Sequence, residues 1–481
     1  MIFKLRTVVA ATSAALIMGF GANAMADSTT DIVNALVAKG VLTEEEGGLL
    51  LKGHEGEQEG QAKVMKKATK LKVSDAIDNA TLYGDIRVRY EDRRGSGVTN
   101  VGTTAAPVAA DADQVRGRAR YKLTLGIKTE SGDWYTDLAL AMNGSGRSDN
   151  ATFGKTSGSL NDKEGLNVKR AMLGYKATDW LTLEAGRMEN PLYTTPMVWD
   201  ADLTVEGLTE KVKYKVGEAE LFGTAGQWAY KGDRSFTTVV GNPTAANTPT
   251  NELFAFQGGA KYPINDSTSI KAALTYSTIS SNNTGADFRP GLSTAIFSSS
   301  AAVNDLDTIE IPAEINFMTS SNIGVRLYGD YVYNTSGSDR FNKAVLATAP
   351  GAARNTVQAA GNDDTAWMLG VVVGSAKDLK SFEGNKMAKG DWSARLWYQD
   401  VGAYSVDQNA VDSDIFDSRV NLKGTTFKAA YNIQDNVIAN FAYGHATRKN
   451  SALGTPTGAG NDLGLNLKDF DLVQLDLTYK F

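Results

Sequence analysis

The sequence predicts an all-β fold: a transmembrane antiparallel β-barrel of 16 strands, preceded by a short N-terminal helical segment. Three observations predict it. From Leu82 to Phe481, apolar and polar residues alternate with a period of two, which is typical of strands with one apolar and one polar face. The connections between these strands are alternately long and short. After residue 26, no apolar stretch approaches the roughly 20 residues that a transmembrane helix needs.

Residues 1–26 have the three parts of a secretory signal peptide in the usual order. Lys4 and Arg6 form a basic start, an apolar run follows from 8 to 20, and small residues around Ala24 offer a cleavage site. We expect cleavage after Ala26 and export of the chain from the cytoplasm.

Residues 27–80 predict a small periplasmic head and linker. Ile32 and Leu36 lie one helical turn apart, and Gly40 ends that helix. Thr43 and Glu46 then have the spacing of a capping box that opens a second short helix. The stretch that follows is polar and charged, which is typical of a linker.

Residues 81–481 form the predicted barrel, and the length of each connection depends on whether the strand before it is odd- or even-numbered. Connections after odd strands are long, whereas those after even strands shrink to turns such as "ESGD", "VGE" and "QDN", with one exception near 376–389. A membrane barrel explains this, because its short turns face the periplasm and its long loops face outside. The expected strands are 82–94, 113–128, 133–143, 165–176, 180–188, 202–215, 219–230, 251–263, 268–280, 306–318, 323–334, 364–375, 390–400, 420–433, 437–448 and 468–481.

The polar faces of the first two strands carry a basic ladder that should line the lumen, because apolar faces must meet lipid. Rings of Arg or Lys favour anions. The alternative, which we favour, is that the ladder pairs with acids such as Asp85, Glu91, Glu310 and Glu314 and stiffens the wall. The ladder residues are Arg87, Arg89, Arg116, Arg118, Arg120 and Lys122.

Aromatic residues near strand ends suit an interfacial girdle. One strand alternates poorly: Lys211 and Lys213 share a parity with Leu203 and Val205, which predicts a bulge or a shifted register. The expected girdle residues are Tyr83, Trp134, Tyr175, Trp180, Tyr333, Trp392, Tyr443 and Tyr479.

The composition excludes several classes of function. The chain has no cysteine and a formal net charge of -6, which argue against disulfides, thiolate chemistry and nucleic-acid binding. Its only two histidines are His54, in the linker, and His445, which we expect at the rim of the barrel. A surface hydrolase would need a serine and an orienting group beside His445, and none is identifiable. No catalytic residue, metal site or cofactor is predicted.

The combination of an export signal, repeated strands and the ending "LDLTYKF" resembles Gram-negative outer-membrane porins of the 16-stranded general or anion type. In those proteins the barrel-assembly machinery reads a terminal aromatic preceded by alternating apolar residues. The resemblance implies that role for Leu475, Leu477, Tyr479 and Phe481. The head also resembles the helical head of several porin families, including relatives of the phosphate-selective type.

The segment "LEAGRMENPLYTTPMVWD" is similar to the end of strand five and the third loop of trimeric porins, where the loop folds into the pore. The resemblance implies that Arg187 lies near a constriction whose acidic side includes Glu189, Asp200 and Asp202. Simple alternation conflicts with this, because it sends Arg187 outward unless a bulge intervenes or the residue lies at the polar rim of the barrel.

These features favour passive diffusion of small hydrophilic solutes or ions through a water-filled barrel in the outer membrane of a Gram-negative bacterium. The expected partners are lipid, the assembly machinery, the solutes, two further copies in a homotrimer and peptidoglycan at the head. A plugged barrel that acts as receptor, adhesin or structural envelope protein is the alternative, and a soluble secreted sandwich is third. The acids of "DVGAYSVDQNAVDSDIFDSR" could bind Ca²⁺ weakly, but their spacing favours a solvated loop.

Overall fold

The computed structural model describes residues 76–98, 112–142, 148–154, 163–231, 251–280, 306–347, 350–375, 388–455, 462–464 and 466–481. The expected signal peptide and helical head lie outside these ranges. The chain divides into two compact units, 1–81 and 82–481, and the description below concerns the second.

Eighteen segments of one sheet form the barrel, and they correspond to sixteen barrel strands. The tenth strand is in two parts around Pro312, and a two-residue bridge, Ala151–Thr152, pairs with the second strand. The strands are β1 (Asn79–Val98), β2 (Ala112–Ser131), β3 (Trp134–Met142), β4 (Leu166–Lys176), β5 (Leu181–Glu189), β6 (Thr204–Val216), β7 (Ala219–Lys231), β8 (Asn251–Asn265), β9 (Thr268–Ser280), β10 (Asp307–Glu310 and Ala313–Met318), β11 (Ile323–Asn334), β12 (Thr365–Ser375), β13 (Trp392–Val401), β14 (Leu422–Gln434), β15 (Val437–Arg448) and β16 (Asp469–Lys480).

Two short helices, α1 (Gly337–Ala347) and α2 (Ala352–Ala360), lie between β11 and β12. Among the described residues, no helix is long and apolar enough to cross a membrane.

Each strand pairs with its sequence neighbours, and the first pairs with the last, so the sheet is closed. β1 and β16 are antiparallel from Asp85 opposite Lys480 to Ser96 opposite Asp469. Closure leaves no strand edge unpaired, which is the condition for a sheet to survive in lipid. The predicted fold class and strand number are confirmed.

The barrel has a turn end and a loop end. At the turn end, two residues suffice between β2 and β3, β6 and β7, β8 and β9, and β14 and β15. Gly132 and Gly217 lie in two of these turns with φ of 56° and 60°, a left-handed conformation that glycine adopts without strain. At the loop end, long connections follow the odd strands.

The outer face of the barrel is apolar and the inner face is polar, the reverse of a soluble protein. Outward side chains such as Ile86, Leu274 and Leu369 are 48%, 56% and 65% exposed, whereas inward Arg89 and Glu91 are 4% and 0% exposed. The large apolar residues therefore form a belt around the outside, as a membrane barrel requires.

Two details of the faces differ from the sequence predictions. Tyr83 does not join the outer girdle: it points inward, where its hydroxyl bonds to Asp137 and Arg170. The other seven expected girdle residues are at least partly exposed. The register from β5 through β7 has no shift, so the predicted bulge near Lys211 is wrong. Val205 instead points inward and is buried in an apolar cluster with Trp228.

The apolar core lies inside the barrel, near the loop end. Met197, Val411 and Phe416 come from connections between strands and pack against wall residues such as Trp397 and Phe470. Parts of the long connections therefore fold into the lumen rather than out into solvent.

Candidate functional site

The first inward loop, residues 190–203, connects β5 to β6 and crosses to another part of the wall. Its residues Tyr193, Thr194 and Thr195 donate side-chain hydrogen bonds of 3.0, 2.6 and 2.5 Å to carboxylates on β10 and β11. The acceptors are, in that order, Glu314, Glu310 and Asp330. Because these strands lie well around the barrel from β5, the loop narrows the lumen.

The second inward loop, residues 402–421, connects β13 to β14, and most of it is buried. Its Asp414 reaches β1, where the carboxylate accepts hydrogen bonds from Arg89 at 2.7 Å and Arg93 at 3.3 Å. Asp417 accepts a further bond from Arg93 at 3.2 Å. This segment is the acid-rich stretch for which the sequence favoured a solvated loop. That prediction is wrong, because most of the segment is buried inside the barrel, where arginines on the wall pair with Asp414 and Asp417.

The two inward loops contact each other in the lumen. The Asp200 amide donates to the Ala410 carbonyl at 2.6 Å, and the Asp412 amide donates to the Pro196 carbonyl at 3.1 Å. Ser413 donates to one Asp200 carboxylate oxygen through its amide (3.0 Å) and its hydroxyl (2.8 Å). The loops therefore form one connected barrier, which we call the loop pair.

Two carboxylates of the second inward loop have opposite pKa shifts. Burial raises the pKa of Asp412 to about 6, and the neighbouring Asp200 adds to the rise. Burial alone would also raise the pKa of Asp414, but Arg89 and Arg93 hold it well below its usual range. At neutral pH Asp414 is an anion held between two arginines, whereas Asp412 titrates near pH 6.

The predicted basic ladder lines the lumen, and each of its members meets a carboxylate. Asp85 and Glu91 are partners that the sequence suggested, whereas Glu310 and Glu314 serve other contacts. The pairs are Arg87 and Arg89 with Asp476, Arg116 and Arg118 with Asp462, Arg118 and Arg120 with Glu91, and Lys122 with Asp85. The ladder therefore forms a neutralised network on this wall.

Arg187 lies on the outer face of β5, not beside the constriction. Its guanidinium forms an ion pair with Glu206 on β6 and donates to the Lys169 carbonyl at 3.0 Å. The uninterrupted register between β5 and β6 explains the position, since no bulge turns Arg187 inward. Alternation along the strand was the better guide here than the resemblance.

The three acids predicted beside the constriction lie in different surroundings. Asp200 is 5% exposed and joins the two inward loops. The Glu189 side chain is 69% exposed and forms an ion pair with Arg170. Asp202 donates its backbone amide to Asp200 at 2.9 Å. Only Asp200 therefore contributes a carboxylate to the contact between the loops.

Several residues of the network were missed by the sequence reasoning. Asp414, Asp462 and Asp476 lie more than 300 residues from the arginines that they pair with, and no periodicity or spacing links them. Burial alone would raise the pKa of Asp462, but Arg93 and the ladder arginines lower it. The density of acids in 400–419 was the one available signal, and it suggested the wrong environment.

The remaining predicted positions are His445 and the C-terminal residues of β16. His445 is at the loop end of β15, half exposed, with Nδ1 2.8 Å from Asp471. Within the described ranges, no three His, Asp or Glu side chains are grouped to hold a metal ion. Leu475, Tyr479 and Phe481 lie on the outer face, and Phe481 exchanges two backbone hydrogen bonds with Gly84 on β1 (3.0 and 3.1 Å).

Comparison with known proteins gives a family and a similar fold. A family model described as "Putative porin" matches residues 71–288 and 279–481. The chain is similar to the outer membrane channel DcaP of Acinetobacter baumannii, with 14% identity, 85% of this chain and 99% of that chain covered, and a TM-score of 0.40. It is also similar to a structure titled "Asymmetric conductivity of engineered proteins", with 12% identity, 84% and 100% covered, and a TM-score of 0.38. No curated protein matches.

Proposed function

This chain belongs to the family described as putative porins, and on that premise we propose that it is a water-filled channel for passive diffusion of small hydrophilic solutes or ions. The observation that carries the proposal is the inverted distribution of polarity. A closed sheet with an apolar belt outside and charged side chains inside is suited to lipid on one face and water on the other. Such barrels need neither cofactor nor energy source.

Charged groups with partial exposure on both sides of the loop pair support an aqueous path. Towards the turn end, the Arg326 and Lys211 side chains are 23% and 37% exposed inside the barrel. Towards the loop end, Arg116 is 44% exposed. The loop pair is then the narrowest region, and its acids and hydroxyls select among solutes.

We place the barrel in the outer membrane of a Gram-negative bacterium, with the turn end facing the periplasm. Removal of residues 1–26 would follow export, and residues 27–80 would reach towards peptidoglycan. The barrel-assembly machinery would read Leu475, Leu477, Tyr479 and Phe481, of which Leu475, Tyr479 and Phe481 are exposed on the outer face.

We also propose a homotrimer. On the outer face of β5 to β8, a groove of about 450 Å³ is lined by Val212, Gly223 and Phe256, together with Glu210. A charged side chain on the lipid face is unfavourable at the middle of a bilayer. A neighbouring copy that covers Glu210 removes this cost, and Glu210→Arg should then convert trimers to monomers on a native gel.

Single-channel recording in a planar bilayer tests the channel. We expect stable conductance steps in KCl from refolded protein whose folded state is verified by heat-modifiable migration on a gel. Folded, inserted protein that never conducts would contradict the proposal.

A plugged barrel with a receptor or adhesin role is the second candidate. The burial of most of the second inward loop inside the lumen favours it. The same recording separates the two, because a plugged barrel inserts without passing ions.

A further inference from the structure

Four aromatic side chains point into the lumen near the turn end, and each lies over a glycine of the next strand. We call them the wall rings, and they are Tyr83 over Gly126, Tyr135 over Gly174, Phe222 over Gly259 and Tyr328 over Gly370. In the last three pairs, strand register places the ring and the glycine directly opposite each other. Alternation puts these three rings on the inner face, because the buried Asp137, Thr224 and Asp330 lie two residues further along the same strands.

Two wall rings reach the second strand from their own, across the strand that carries the glycine. Tyr83 on β1 bonds through its hydroxyl to Asp137 on β3. Tyr135 on β3 donates its hydroxyl to Glu184 on β5 at 2.6 Å. Because neighbouring strands are about 4.8 Å apart, a tyrosine spans this distance only when its ring lies along the wall. These two rings therefore do not project across the lumen.

The other two wall rings extend in the same direction around the barrel, towards cations on the second strand. Lys271 Nζ on β9 is 5.0 Å from the centroid of the Phe222 ring on β7. The guanidinium carbon of Arg395 on β13 is 5.7 Å from the centroid of the Tyr328 ring on β11. An aromatic face attracts such a cation, which helps to hold the ring in place. Each wall ring thus has a partner two strands away, with a glycine on the strand between.

The glycines allow the rings to lie flat against the wall. A Cβ atom on Gly174 would overlap the ring of Tyr135. A Cβ atom on Gly370 would lie 2.5 to 2.7 Å from three atoms of the Tyr328 phenol, whereas the optimal separation of carbon atoms is about 3.5 to 4.0 Å. At both positions the three nearest atoms belong to the tyrosine, so the tyrosine must move if a side chain is added. The free space for that movement is the lumen.

We propose that the wall rings set the width of the lumen at its turn end, so that this opening is a size filter separate from the loop pair. The inference rests on the proposed channel function and adds the residues that limit the size of the solute. With glycine at the opposite position, each ring lies flat and the opening is wide. A single added methyl group turns the ring inward and narrows it, because overpacked side chains leave their preferred positions.

Thiol labelling inside the barrel measures this width without requiring conduction, because the chain has no cysteine. Lys211 is 37% exposed in the lumen and lies opposite Thr224, one inward position deeper than Phe222. In a Lys211→Cys background, a small maleimide and a bulky polymer-linked maleimide are compared. In Gly370→Ala, the labelling rate of the bulky reagent relative to the small one should fall about twofold or more.

Two variants control for the added methyl group. Gly444→Ala adds the same group to the inner face, where the nearest atoms are 3.6 to 3.7 Å away in ordinary contact, and it should leave the ratio of labelling rates unchanged. Adding Tyr328→Ala to Gly370→Ala should restore the ratio, because no ring is left to displace. A ratio that stays low without the ring would overturn the inference, since the methyl group and not the ring would then narrow the opening.

Single-channel recording of the same variants separates failure of the filter from failure of the channel. Conducting protein in which Gly370→Ala labels like its parent would overturn the filter and leave the channel intact. A ratio that falls in Gly370→Ala and recovers without the ring, in protein that never conducts, would support the width set by the wall rings and contradict the channel. If Gly370→Ala does not fold, Gly174→Ala with Tyr135→Ala gives the same comparison.

Discussion

The contact between Asp414 and the two arginines of β1 should decide how firmly the second inward loop stays in the lumen. The Asp414→Asn substitution keeps the shape of the side chain and removes its charge. Arg89 and Arg93 keep other acids, because Arg89 also bonds to Asp476 at 2.7 and 2.8 Å and Arg93 also bonds to Asp417. The substitution therefore weakens the loop without leaving a bare buried cation.

The expected size follows from the two charge-assisted bonds that are lost. Hydrogen bonds to charged groups are worth about 1.5 to 3 kcal/mol each, but partial replacement by the amide and by water reduces the loss to about 2 kcal/mol. At about 1.4 kcal/mol per factor of ten, the population with the loop displaced should rise roughly 30-fold.

Thiol labelling measures that population, because the chain has no cysteine of its own. Ser418 lies in the second inward loop with 0% exposure, and its hydroxyl has no hydrogen-bond partner, so Ser418→Cys gives up no bond. In this background, Asp414→Asn should label roughly 30-fold faster than the parent. Asp476→Asn is the control, since it breaks an arginine pair on the wall and leaves the loop contact in place. Equal labelling of Asp414→Asn and its parent would refute the reasoning.

Three further outcomes are expected. Asp412 has a pKa of about 6 in the folded loop, above its value in an unfolded chain. Its protonation therefore stabilises the loop fully below about pH 4, and this contribution is lost as the pH rises through about 6. Open-channel current noise should increase over that range and should not depend on pH in Asp412→Asn, whereas noise that is flat with pH in the unaltered protein would contradict the prediction. Arg187→Gln should leave the reversal potential in a salt gradient unchanged, because Arg187 faces outward. A changed reversal potential would indicate that Arg187 lies near the constriction. Tyr83→Phe should lower the free energy of unfolding by about 1 to 2 kcal/mol, because it leaves Asp137 and Arg170 without a shared hydroxyl partner inside the barrel. Urea titration followed by heat-modifiable migration on a gel measures this change, and Tyr479→Phe on the outer face is the control.

The barrel was predictable because its rules are local. Alternation gives the face of each side chain from its immediate neighbours, and it held even at Arg187, where the resemblance pointed the other way. Tyr83 shows the limit of residue type as a guide: an aromatic near a strand end suits the interface, but its parity sends it into the lumen.

The interior was not predictable because its contacts join distant parts of the chain. Nothing in the acid-rich segment 400–419 distinguishes a solvated loop from one that folds inward; the arginines that neutralise it lie on β1. Only the closure of the sheet brings such positions together.

The pairing of Asp414 with Arg89 also has a consequence for the order of folding. The two residues are 325 positions apart, and Arg89 reaches its wall partner Asp476 across 387 positions. Contacts of such long separation form late, because the entropy of ordering the intervening chain must be lost first. The second inward loop should therefore take its place only after the first and last strands have met, so that a barrel still open at that seam lacks this loop's part of the barrier across its interior.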